Sequence, residues 1–140
     1  MTYSRRDLCL LAAALAATPG RAAQNTPLHS KAYSYEALPV KKMGDNEQRP
    51  ILEGELHKGF YLEVHETRLE PGTAPHPPHH HAHEEMFLIK EGTLEVMIAG
   101  KTTRLGPGSL GFVGSNDEHG VTNIGATHAQ YFVVALGNDA

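Results

Sequence analysis

Residues 79–92 read HHHAHEEMFLIKEG, and this stretch decides the fold. Phe87 and Ile89 have one parity, and Met86 and Leu88 have the other. An extended segment here therefore carries apolar side chains on both faces. One face fills the interior of a barrel, and the other buries itself against a second layer or a partner. His79, His81 and Glu85 share the parity of Phe87 and Ile89, so a strand running unbroken through them would point all three inward. Neutral imidazoles with one hard carboxylate suit Fe, Mn, Ni, Cu or Zn, and do not suit Ca or Mg. A fourth ligand must come from elsewhere in the chain. His119, on a second strand candidate after a Gly-rich turn, is the obvious choice.

Working outward, Phe60, Leu62 and Val64 alternate with Tyr61, Glu63 and His65, a strand with unlike faces that Pro71-Gly72 ends. Leu94 to Ile98, Lys101 to Leu105, Leu110 to Val113, Gly120 to Asn123 and Gln130 to Leu136 follow Met86 to Lys90 as further strands. Glu91-Gly92-Thr93, Gly100 and Gly106-Pro107-Gly108 separate the first of them. Short strands at about ten-residue spacing with Gly/Pro punctuation predict an all-β sandwich or barrel. Residues 24–50, with Pro27, Pro39 and Pro50, read as an N-terminal arm with one short strand near Tyr33 to Glu36. Residues 51–140 then form one β-barrel domain.

The composition agrees. The chain has 140 residues, 40% of them apolar and 20% charged, with 14 Gly, nine Pro and one Cys. That is one ordinary globular core, too rich in turns for a helical bundle and without a disulfide framework. A formal charge of −4 and the absence of Trp argue against a nucleic-acid binder. Ten His is the unusual count, and His76, His79, His80, His81 and His83 cluster together. Residues 1–23 have the layout of a signal peptide: Ser4-Arg5-Arg6, an apolar run from Leu8 to Ala17, then small residues at Ala22 and Ala23. The run is too short for a permanent membrane anchor, and the paired arginines resemble a twin-arginine export signal. The expected location is the periplasm or the exterior.

The segment His79-x-His81-x3-Glu85-x6-Gly92 resembles the first motif of the cupin superfamily. Gly108-x5-Gly114-x-Asn116-x2-His119-x3-Asn123 resembles the second, at the short separation of compact bacterial members. The resemblance implies a small antiparallel β-barrel of jelly-roll type, with His79, His81, Glu85 and His119 as ligands of one divalent transition metal, Fe or Mn first, then Ni, Cu or Zn. The chain departs from the family at the spacing after Gly72 and at Gly114 and Asn116, where the family has Pro and Gly. His80 and Glu84 should face outward. His76, His80 and His83 are read as outside the ligand set, able to bind metal loosely or to hydrogen-bond the ligands. Asn123 is either a pocket wall or a strand-end turn residue.

Members of this superfamily include dioxygenases, decarboxylases, isomerases, storage proteins and sugar-binding regulators, so the fold does not select a reaction. The intact ligand set favours a metal-dependent oxidoreductase of dioxygenase type acting on a small organic molecule. Its alternative is a metal- or small-molecule-binding module without turnover. Glu85 is the one catalytic candidate, a carboxylate that could act as a base. Phe87, Ile89, Val96 and Ile98 should wall a small, mostly dry cavity. The two apolar faces of Met86 to Lys90 and Gln130 to Leu136 predict a homodimer.

Overall fold

A computed structural model describes residues 27–137. The segment expected to be a signal peptide, residues 1–23, lies outside them. Nine strands follow a 3-10 turn at Tyr35–Ala37: β1 (Lys41–Met43), β2 (Asn46–Glu55), β3 (Tyr61–Leu69), β4 (Glu84–Glu91), β5 (Leu94–Ile98), β6 (Lys101–Leu105), β7 (Leu110–Val113), β8 (His119–Asn123) and β9 (Ala129–Gly137). They form two antiparallel sheets in jelly-roll arrangement, ordered β1-β2-β3-β9-β4-β7 and β6-β5-β8. The two sheets are not hydrogen-bonded into a closed barrel. A narrow bridge between His79 and His119 links the chain before β4 to the smaller sheet.

The core lies between the sheets and follows strand parity. Phe87 and Ile89 of β4, Leu94 and Val96 of β5, Val121 of β8, and Ala129, Tyr131, Val133 and Ala135 of β9 are all buried. Each large apolar side chain among them stabilises the fold by about 1.5–3 kcal/mol. Leu88, Leu110, Phe112 and Leu136 point outward and remain exposed. The Gly92 turn fits tightly between β4 and β5. Its φ is +83°, and a Cβ there would lie 2.6 Å from the Cα of Ala129, so only glycine fits.

The N-terminal region differs from expectation. The strand expected near Tyr33 to Glu36 is absent; Tyr35–Ala37 is a 3-10 turn. The hairpin β1–β2 lies further on, and β2 runs through the expected boundary at residues 50 and 51. Pro50 sits inside β2 because the register with β3 shifts between Pro50 and Leu52, which relieves the ladder of a missing donor. Tyr35 lies across the outer face of the large sheet, its ring 4.6 Å from both Arg49 and Lys90. Lys90 in turn donates to the buried Glu66 at 2.9 Å. These contacts fasten the arm to the domain.

Candidate metal centre

His79, His81, Glu85 and His119 come together, although not as one unbroken strand would bring them. β4 begins only at Glu84, and the chain bends at Ala82 and His83. The convergence is enforced by backbone contacts from the smaller sheet instead. His79 N–H donates to the His119 carbonyl at 3.0 Å, and His119 N–H returns to the His79 carbonyl at 2.9 Å. The Asn116 N–H holds the His81 carbonyl at 2.7 Å. Asn116 has a φ of +63°, a left-handed conformation that asparagine tolerates, so it can stand where the related motif has glycine.

The ring orientations are fixed as metal ligands require. His81 donates Nδ1–H to the His83 carbonyl at 2.9 Å, and His119 donates Nδ1–H to the Asp117 carbonyl at 2.9 Å. That leaves both Nε2 lone pairs facing inward. Glu85 Oε2 lies 3.1 Å from His119 Nε2 and 3.6 Å from His81 Nε2. Ligand atoms about 2.1 Å from one ion stand about 3.0 Å apart at a right angle and about 3.4 Å apart at a tetrahedral angle. The donor atoms of His79, His81 and His119 all lie within 4.8 Å of one another. His79 Nδ1, His81 Nε2 and His119 Nε2 are buried and make no hydrogen bond. Orphaned buried nitrogens are costly, and a shared cation would satisfy all three at once. The residues therefore fit a divalent metal.

The His79 imidazole has a displaced pKa. Burial, reinforced by the neighbouring imidazoles of His76, His119, His81 and His80, lowers it from 6.5 to about 4. A neutral imidazole at neutral pH is the form that binds metal.

The remaining histidines divide. His80 is exposed. His83 stacks flat on His81 with ring centroids 3.6 Å apart, and His81, His83 and Glu85 bring donor atoms within 4.8 Å of one another. His76 packs edge-on against His79 at 4.3 Å. Asn123 is a strand-end residue: fully buried, it donates to the carbonyls of Leu69 and Thr127 and accepts from the Gly125 N–H.

The cavity beside the ligands is more polar than expected. It measures about 110 Å³, and Glu85 and His119 meet Phe87, Val121 and Val133 there with Gln48, His65, Thr67 and Tyr131. Ile89, Val96 and Ile98 lie in or against the core instead of lining it. The polar parity of β3, with His65 and Thr67, is the one that faces inward. His65 gave no functional signal as an isolated histidine. Only its parity with Thr67 and Leu69 could have placed it here.

Residues 65–135 match the family profile described as a cupin domain. Over 62 residues the chain is 37% identical to the L-ectoine synthases of Bordetella parapertussis and Bordetella bronchiseptica, a stretch covering 44% of this chain and 47% of each synthase. The chain thus spans about half the length of these curated relatives. Among solved structures it is similar to an RmlC-like cupin from Shewanella frigidimarina NCIMB 400, with a TM-score of 0.65 and 20% identity over 78% of this chain and 93% of that one. It is also similar to a protein of Thermotoga maritima described as a predicted oxalate decarboxylase, with a TM-score of 0.66 and 17% identity over 77% of this chain and 100% of the other. These two likenesses establish the fold.

Proposed function

Since this chain belongs to the cupin family, we propose that it is an exported metalloprotein that holds one divalent first-row metal through His79, His81, Glu85 and His119. We propose further that it oxidises a small organic molecule in the manner of a dioxygenase. The observation that carries the metal site is the set of three buried imidazole nitrogens that make no hydrogen bond, two of them facing the Glu85 carboxylate. A bound ion would supply Lewis-acid and redox chemistry. The chain's own part is to fix the tautomers of His81 and His119 through backbone carbonyls and to limit access by a small cavity. Glu85 is the nearest group able to take a proton from a substrate.

Export rests on Arg5, Arg6 and the apolar run that follows them. Association as a homodimer is supported by the exposed outer face of β4 and β7, with Leu88, Leu110 and Phe112. The activity is tested by oxygen uptake of the Fe- or Mn-loaded protein with a panel of enols, phenols and oxo-acids. Uptake with at least one class, abolished in His119→Ala, is the expected result. Flat traces across the panel would leave a binding module without turnover.

A further inference from the structure

The cavity wall across from the metal ligands includes His65, which has a partner of its own behind it. Glu63 and His65 lie on β3 with the same parity, and His65 Nδ1 stands 2.9 Å from Glu63 Oε1. The ionised carboxylate can only accept, so the proton of this bond sits on Nδ1. The bond to His65 is also what chiefly holds the Glu63 carboxyl below the usual carboxylate range. The other ring nitrogen, Nε2, then carries the lone pair. The ring is 14% exposed and lines the cavity that Glu85 and His119 line.

Register gives the span. Glu63 and Glu85 both pair with Ala135, and His65 and Phe87 both pair with Val133. β3 and β4 therefore flank β9, about 9.6 Å apart by two strand spacings. The space between is the cavity of about 110 Å³. It holds the volume of about four waters, or a molecule of roughly six non-hydrogen atoms.

We propose that His65, oriented by Glu63, is a second binding point for the molecule held at the metal centre, and that this molecule is a compact acid with a hydroxyl at the end remote from the metal. The inference rests on the metal site proposed above. The metal takes the anionic oxygen end. Nε2, as the lone-pair nitrogen, calls for a donor at the other end. The described residues lining the cavity include no Lys or Arg to balance a second full charge there. A hydroxyl answers both demands. His65 contacts the ligand directly, and Glu63 is a positioning residue that acts through it.

The test compares 3-hydroxypropionate with butyrate, two acids of equal non-hydrogen atom count that differ in the terminal hydroxyl. Both are titrated calorimetrically into the metal-loaded protein, whose metal content is measured in parallel. The native chain should bind 3-hydroxypropionate about tenfold more tightly, the factor expected when one partly buried hydrogen bond is made. His65→Phe should abolish that preference with metal content unchanged. Glu63→Ala should weaken it, and Glu63→Gln, whose amide oxygen still accepts from Nδ1, should restore it. Equal affinities in the native chain, or a preference that survives in His65→Phe, would overturn the inference while leaving the metal centre standing. A native chain that takes up no metal would overturn both. If His65→Phe fails to fold, the native comparison and the Glu63 variants decide.

Discussion

Replacing Asn123 with Ala should destabilise the domain by about 2–5 kcal/mol without emptying the metal site. Asn123 is fully buried and makes three side-chain bonds: to the Leu69 carbonyl at 3.0 Å, to the Thr127 carbonyl at 2.9 Å, and from the Gly125 N–H at 2.9 Å. The bond to Leu69 is buried, and losing a buried partner costs about 1–3 kcal/mol. The bonds to Thr127 and Gly125 are part-buried, so water recovers some of each and they add about 0.5–1 kcal/mol apiece. Against a total stability of about 5–15 kcal/mol this is a large fraction. Urea unfolding of the metal-free chain at pH 7 reads it directly. At an unchanged slope of about 2 kcal/mol per molar, the midpoint should fall by about 1–2.5 M. The variant should still take up one equivalent of metal. A loss below about 1 kcal/mol, or normal stability with lost metal, would refute the reasoning and return Asn123 to the cavity wall.

Two other outcomes follow from the geometry. In the metal-free protein the His79 imidazole should titrate near pH 4 by NMR, against 6.5 for an unperturbed histidine. Between those values the unfolded chain binds a proton that the folded chain refuses, so the contribution of His79 to stability is complete above pH 6.5 and lost as pH falls toward 4. A midpoint near 6.5 would contradict the burial argument. Light scattering at micromolar concentration should return the mass of two chains, because Leu88, Leu110 and Phe112 leave the outer face of β4 and β7 apolar; the mass of one chain would contradict it.

Much of the fold was legible because apolar parity survives in the strands that bury it. Leu94–Ile98, Lys101–Leu105 and Leu110–Val113 stand where alternation and Gly/Pro punctuation placed them. β2 was not legible: its sequence, NEQRPILEGE, has no clean alternation and carries Pro50, and a register shift accommodates both. The four candidate ligands were legible from residue type and motif spacing. The way they converge was not, since the chain bends at Ala82 and His83 and the His79–His119 bridge does the aligning. The polar half of the cavity was hidden for a related reason. His65, Thr67 and Tyr131 lie on strands read for their apolar residues, and the pairing of β3 and β4 with β9 brings them into the cavity that Glu85 and His119 also line.

The metal centre is tested most directly by elemental analysis of the protein expressed from its full-length sequence and purified without an affinity tag. The expected result is about one equivalent of a first-row divalent metal, Fe or Mn, lost in both His81→Ala and His119→Ala. Several equivalents of Zn, Cu or Ni, insensitive to those substitutions, would place the metal on the exposed His-rich loop and contradict it.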